Sequence, residues 1–164
     1  MFLNPEKVVE EWDIRPGEKI ADFGCGAGFF TLLIGQRTGP NGKVYALDVR
    51  PEALEAVKSK IKLSHLFNIE TVRADLERDR GSGLKSETMD KVIISNILFQ
   101  AENKEKISEE AFRVLKTNGL AFIIEWTEKI NKESAKNIFK EAGFSFEKEF
   151  SAGSHHYGLI FKKP

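Results

Sequence analysis

Residues 20–30 read Ile-Ala-Asp-Phe-Gly-Cys-Gly-Ala-Gly-Phe-Phe, and the fold turns on them. Ile20 and Ala21 form a short apolar run that ends in Asp22. Gly24, Gly26 and Gly28 follow at alternate positions, and an amphipathic segment from Phe29 to Arg37 continues from them. The pattern predicts a strand, a tight turn and a helix. A turn this sharp takes residues without a Cβ, both to bend and to let a ligand touch the backbone. The spacing is G-x-G-x-G, which differs from the G-x-G-x-x-G of the dinucleotide fingerprint.

Outward from that turn, Lys43-Val-Tyr-Ala-Leu-Asp48 is rich in β formers and ends in a carboxylate, with Asp48 20 residues after Gly28. In a βαβ unit the ends of neighbouring parallel strands sit side by side, and ligands bind outside their carboxyl ends. An acidic residue there can accept hydrogen bonds from both hydroxyls of a ribose, which suits NAD or another adenosine ligand. A strand-end aspartate can equally cap the helix that follows.

With these pieces in place, the chain resembles the class I S-adenosylmethionine-dependent methyltransferases. Within them it is similar to the small-molecule branch that includes ubiquinone/menaquinone and arsenite methyltransferase-like proteins. Four segments carry the resemblance in order. Asp22–Phe30 is similar to the first motif and Val44–Val49 to the second-strand acidic motif. Arg73–Asp79 resembles the adenine-binding segment. Asp90–Phe99, followed by Arg113–Trp126, resembles the fourth- and fifth-strand motifs. NAD-binding folds share the first two features but lack the Arg-Val-Leu-Lys-x-x-Gly turn from helix to strand. The resemblance implies S-adenosylmethionine as cofactor, S-adenosylhomocysteine as product, and a methyl transfer by in-line displacement.

Composition fits one domain over 1–164. The chain has 41% apolar residues, 13 of its residues are Phe, and so it can bury a core. Its 25 basic residues balance 25 acidic ones, which exerts no global pull toward nucleic acid or acidic membrane. No apolar run approaches the roughly 20 residues needed to span a bilayer. The start, MFLNPEKVVEEW, has neither a basic n-region nor an apolar h-region, so the cytoplasm is the expected compartment. The single cysteine forms no internal disulfide, and Cys and His are too sparse for a zinc site.

The periodicity predicts alternating elements. A short helix opens at Asn4-Pro5 and runs to about residue 11. Strands are expected near 19–23, 43–48, 69–73, 91–95 and 120–126. Helices are expected near 27–37, 51–64 and 103–115, and from Asn131 to a stop at Gly143. Two last strands turn around Ala152-Gly153. The expected architecture is α/β: a doubly wound, Rossmann-like seven-stranded sheet, mostly parallel, with a C-terminal antiparallel strand and helices on both faces. The polar loop Arg78–Glu87, with Gly81 and Gly83, is predicted to be mobile.

Roles follow from the resemblance. Asp22 would hold the ammonium of the methionyl part. Gly24, Cys25, Gly26, Gly28 and Phe29 would form the turn against the methionyl chain and ribose. Asp48 would take the ribose hydroxyls, and Val49 would lie under one adenine face. Asp75 would accept from the adenine amino group, with the Leu76 N–H near a ring nitrogen. Asn96 and Ile97 would sit beside the reactive methyl. Bland readings stand beside these. Asp75 can belong to a solvated cluster with Glu77, Arg78, Asp79 and Arg80. Asn96 can cap a turn, and Cys25 reads as a small buried residue rather than a nucleophile.

A thiolate or stabilised carbon nucleophile needs little help, whereas an oxygen or nitrogen acceptor usually needs a base. The candidates are Glu125 at the end of the fifth strand and His155, His156 and Tyr157 in the last hairpin. One face of that hairpin, His155 with Tyr157 or His156 alone, is expected to border the acceptor pocket near Glu125. Glu125 can also be a rim charge, and the hairpin residues a solvated turn. The fourth strand ends in Ser-Asn-Ile-Leu, not Asn-Pro-Pro-Tyr, which argues against methylation of exocyclic amino groups in nucleic acid bases. The short segment before Asp13 and the four residues Thr127–Ile130 leave almost no lid. An open site suits a large acceptor, a partner subunit or homodimer, or closure by the N-terminal helix and Arg78–Glu87. A small-molecule acceptor is the leading expectation. A protein or RNA methyltransferase, or a non-catalytic cofactor-binding subunit, is the alternative.

Overall fold

Strands and helices alternate along residues 3–164, which the computed structural model describes. In chain order they are α1 (Pro5–Glu10), β1 (Lys19–Phe23), α2 (Phe29–Thr38), β2 (Lys43–Asp48), α3 (Pro51–Ser64), β3 (Ile69–Arg73) and β4 (Met89–Ser95). A single 3₁₀ turn (Leu98–Gln100) precedes α4 (Lys104–Val114), β5 (Leu115–Trp126), α5 (Lys132–Glu141), β6 (Ser145–Ser151) and β7 (His156–Lys162).

The strands make one seven-stranded sheet in the order β3-β2-β1-β4-β5-β7-β6. β1 to β5 run parallel, and β7 is antiparallel to both β5 and β6. This is the predicted α/β architecture. Alternate strand residues feed two apolar layers. On one face Ile20, Val44, Phe122 and Ile124 pack under Val8 and Val9 of α1, Ile34 of α2 and Val57 of α3. On the other, Phe23, Leu47, Ile94, Ile123 and Phe161 pack under Ile107 and Ala111 of α4 and Ala135 and Phe139 of α5. The chain builds outward from β1 to β3, then returns to lay β4 on the other side of β1. That reversal opens a crevice at the carboxyl ends of β1 and β4.

Local chemistry starts and stops the elements. Asn4 accepts from the Lys7 N–H at 3.3 Å ahead of Pro5, and Asn131 accepts from Glu133 and Ser134 N–H at 2.9 and 3.2 Å. Pro51 opens α3 in the position where a missing N–H costs nothing. Among the described residues no helix is long and apolar enough to cross a membrane.

Three details differ from the sequence reading. α2 starts at Phe29 rather than 27, because Gly28 holds φ +84° and so cannot continue a right-handed helix. A Cβ there would meet Val57 Cγ2 at 2.8 Å, so the left-handed turn and close helix packing need the same glycine. β5 emerges directly from α4. Met89 pairs with Leu115 and Lys91 with Leu120, so Asn118, at φ +67°, and Gly119 lie in a bulge within β5 rather than in a turn before it.

The third difference concerns residues 78–87, which are fastened rather than mobile. Ser82 is 2% exposed, and its N–H and hydroxyl both donate to the buried Glu110 carboxylate. Arg113 donates to the same carboxylate at 2.6 Å and to the Leu84 carbonyl at 2.8 Å. Removing Glu110 leaves a partly buried guanidinium without its counter-ion, at a cost of about 3 kcal/mol. Glu110→Ala should therefore lower the melting temperature and expose Arg78, Arg80 and Lys85 to trypsin. Wild-type stability and wild-type trypsin resistance in that variant would contradict this anchoring.

Candidate functional site

A cavity of about 530 Å³ lies over the carboxyl ends of β1, β2 and β4. The β1–α2 turn contributes Asp22, Gly24, Cys25, Gly26 and Phe29. The exit of β2 contributes Asp48, Val49 and Arg50, and the segment after β3 contributes Ala74 to Glu77. Ser95, Asn96, Ile97 and Gln100 close the β4 side, and Leu3 and Pro5 reach it from the N-terminal end. The fold thus gathers Asp22, Asp48, Asp75, Leu76 and Asn96 from four separate strand ends into one wall. Gly28 stays outside the lining, beneath the turn against Val57.

The carboxylates differ sharply in how they are satisfied. Asp22 is 2% exposed and accepts from the Thr31 hydroxyl at 2.6 Å. Burial pushes its pKa up to about 6, against the pull of that hydrogen bond and with a further push from Asp48. Among the described residues no cation pairs with it. Asp48 accepts from the Gly26 N–H at 3.0 Å and the Arg50 N–H at 2.9 Å. Arg50 also reaches both its oxygens through the guanidinium, at 3.1 and 3.3 Å. Burial raises the Asp48 pKa, but the Arg50 and Gly26 bonds outweigh it and hold the carboxyl below its ordinary value. Asp48 both faces the cavity and ties the glycine turn to the start of α3.

Gly24, at φ +72°, has Ile97 packed where a Cβ would stand, so the turn and the β4 exit touch directly. Asn96 holds φ +57°, and its Oδ1 is buried without a hydrogen-bond partner. The residue lines the cavity, and among the described residues this oxygen has no donor. Val49 and Phe29, 55% and 66% exposed, present apolar faces at the rim. Lys60 sits 4.5 Å from the Phe29 ring centre. Asp75 lines the cavity and also pairs with Arg78 at 3.1 Å, as part of the charge cluster the sequence suggested. Cys25 is a poor nucleophile: burial, then Asp22 and Asp48, push its thiol pKa up. Arg50 and Gln100 escaped the sequence reading. Arg50 was legible in principle as the residue two past a strand-end carboxylate, whereas nothing in the sequence singles out Gln100.

Glu125 and the hairpin residues do not line this cavity. Glu125 is fully buried and turns back under the β4 exit, accepting from the Leu98 N–H at 2.7 Å. Tyr157, opposite it in the β5–β7 ladder, donates to the Ile130 carbonyl at 3.1 Å. Burial, then Glu125, raise the Tyr157 pKa. His156 lies on the other sheet face with its ring 4.0 Å from that of Trp126. Burial, then His155, lower its pKa. The His155 carbonyl accepts from the Thr127 N–H at 2.9 Å. His156 and Tyr157 border a separate hollow with Asn131, Lys132 and Glu149. The hairpin starts at the carboxyl end of the sheet as expected, but two strand widths from β4, which keeps it off the cavity.

Burial pushes the Glu125 pKa from 4.5 up to about 7, partly offset by the backbone N–H groups of Leu98, Ile97, Phe99 and Trp126. Between those values the native chain holds a proton that the unfolded chain has released. The group's stabilisation is therefore complete below about pH 4.5 and lost as pH rises through about 7. Glu125→Gln keeps an acceptor for Leu98 and cannot ionise, which removes a cost of up to about 3 kcal/mol at pH 8. Its melting temperature should exceed the wild type's at pH 8 and match it near pH 5. Equal destabilisation at both values would contradict this.

The comparisons agree with this geometry. The family described as methyltransferase domain matches residues 14–158. A demethylmenaquinone methyltransferase of Lactococcus lactis is 31% identical over 90% of this chain and 54% of its own length. An arsenite methyltransferase of Halobacterium salinarum is 28% identical over 65% of this chain and 26% of its own. The chain thus spans between a quarter and about half the length of these curated relatives. A crystal structure of an S-adenosylmethionine-dependent methyltransferase from Aquifex aeolicus superposes with a TM-score of 0.89 at 25% identity, covering 99% of this chain and 91% of that one. Fold, cavity and family match converge: the chain belongs to the class I S-adenosylmethionine-dependent methyltransferases.

Proposed function

We propose that this chain transfers the methyl group of S-adenosylmethionine to a small-molecule nucleophile that carries its own reactive electron pair near neutral pH. The observation that carries the cofactor reading is Asp22, a buried carboxyl lining the cavity that pairs with no cation among the described residues. An α-ammonium placed against it compensates the charge, whereas a pyrophosphate there would be repelled. Asp48 supplies acceptors for a ribose diol, provided the Arg50 guanidinium gives way. Val49 offers an apolar face to adenine, and Asn96 lines the β4 side of the cavity. When bound, S-adenosylmethionine supplies an electrophilic methyl on a sulfonium.

The chain's own part is positioning and exclusion of water, which can supply about 7–11 kcal/mol of the barrier. The β4 side of the cavity is walled by Ser95, Asn96, Ile97 and Gln100, which bring no group that titrates near neutral pH. That wall favours a thiolate or a stabilised carbanion as acceptor over an alcohol or an ammonium ion, which would need a base. The test is release of S-adenosylhomocysteine with a panel of thiols and acidic carbon acids set against alcohols and amines. Turnover confined to the alcohols or amines would contradict the acceptor class.

The cofactor reading makes its own predictions. A proton on Asp22 competes with the ligand's ammonium, so S-adenosylhomocysteine affinity should fall about tenfold per pH unit below about 6. A flat calorimetric profile from pH 5 to 7 would contradict it. Asp48→Asn should weaken binding by about ten- to a hundredfold, from the loss of a charged acceptor. Arg50→Ala should instead tighten it, by up to about fivefold, since a pair whose guanidinium is mostly exposed is worth about 1 kcal/mol. Weaker binding in the Arg50 variant would show that the guanidinium serves the ligand rather than competing with it.

A further inference from the structure

Glu125 is the buried titratable group that the proposed chemistry leaves unused. It is 0% exposed, and one oxygen caps the 3₁₀ turn through Leu98 N–H while the other, Oε2, has no partner. The backbone it caps leads straight to the cavity. Asn96 N–H donates to the Ile124 carbonyl at 2.8 Å, one residue before Glu125, and the Asn96 carbonyl accepts from Gln100 at 2.8 Å. Asn96 is held in a left-handed conformation and lines the cavity, and Ile97 packs on Gly24. A shift of this segment therefore moves both Asn96 and the glycine turn.

A buried carboxylate is a costly choice for a cap. A neutral acceptor would hold Leu98 with no ionisation penalty, so stability alone does not call for a glutamate at this position. An ionised carboxylate does something a neutral group does not: it accepts stronger, charge-assisted bonds from converging N–H groups. We propose that Glu125 is a positioning residue, whose carboxylate clamps the Ile97–Phe99 backbone and thereby fixes Asn96 and Ile97 against the methyl-bearing end of the bound cofactor.

The proposal rests on the cofactor reading above. Few other groups bear on Glu125. β7 presents Tyr157 directly across from it, with its hydroxyl on the Ile130 carbonyl. β4 ends in the uncharged Ser95, and the 3₁₀ turn presents Leu98 and Phe99. Lys104, at the start of α4, donates to the Ala101 carbonyl at 2.7 Å. His156, next along β7, lies on the opposite sheet face under Trp126. In the cavity itself burial also raises the Asp22 pKa, so the two groups are told apart by the Glu125→Gln variant, which lacks only the Glu125 titration.

The experiment is calorimetric titration of S-adenosylhomocysteine into wild type and Glu125→Gln between pH 5 and 8.5, with melting temperatures on the same samples. The glutamine retains a neutral acceptor and stands for the protonated state. At pH 8 it should bind about five- to tenfold more weakly, the difference between a charge-assisted and a neutral hydrogen bond. The same protein should melt no lower than wild type. Wild-type affinity should rise between pH 6 and 8, and this upper step should vanish in the variant while the Asp22 step near pH 6 remains. A merely structural role moves stability and affinity down together and leaves the upper step in place. If Glu125→Gln fails to fold, the wild-type upper step decides. It should coincide with titration of the Leu98 amide shift, and affinity that stays flat while that amide titrates overturns the proposal. An unchanged variant affinity and profile overturns it as well. Wild type that does not bind S-adenosylhomocysteine at all overturns the cofactor reading, and the positioning role with it.

Discussion

The reversal of strand order between β1 and β4 is the constraint on which the rest depends. Strands leaving β1 in one direction return on its other side, so no connection crosses the carboxyl ends of these two strands. The gap admits a ligand, and the loops that flank it carry the chemistry. β2, paired outside β1, carries Asp48 two residues past the level of Asp22, and β5, paired outside β4, carries Glu125 one residue past the Ser95–Ile124 pair, beside Asn96. Four polar side chains thus arrive at one end of a sheet whose interior is otherwise apolar.

Their surroundings set them different tasks. Asp48 is saturated by N–H donors and stays ionised. Asp22 has one hydroxyl and an elevated pKa, so it gains most from a cation. Asn96 has a buried acceptor without a donor. Glu125 has the Leu98 N–H on one oxygen and, among the described residues, no donor on the other. A site assembled from partly satisfied groups is less stable empty than a fully paired one. Ligand donors recover part of that cost, and this is how such a cavity turns burial into affinity. The fastened 78–87 segment fits the same economy: Glu110 and Arg113 hold the loop after Asp75 and Glu77 in place, so that side of the cavity is preformed.

β1 and β2 were legible because each is a short β-rich run that leads into glycine or ends in a carboxylate, and parallel core strands are apolar on both faces; the edge strand β3 was legible from its β-branched residues alone. β1, β2 and β3 fell where the residues placed them, as did Asp22 and Asp48 on the cavity wall. What escaped depends on distant contacts. Residues 78–87 look like a free polar loop until Glu110, 28 residues from Ser82, meets it. Glu125 looks like a strand-end charge, and nothing local says that the backbone after β4 folds back onto it. The hairpin histidines were placed at the correct end of the sheet. Their distance from the cavity follows from β7 inserting between β5 and β6, an order that alternation along the chain does not disclose.

The most direct test of the account is a crystal structure of the chain with S-adenosylhomocysteine. The account predicts the ligand across the β1–β4 crevice, with its ammonium on the Asp22 side and its ribose hydroxyls on Asp48. The Arg50 guanidinium should be displaced from that carboxylate, and adenine should lie on Val49. A ligand seated elsewhere, or lying in this cavity with its ammonium away from Asp22, would contradict it.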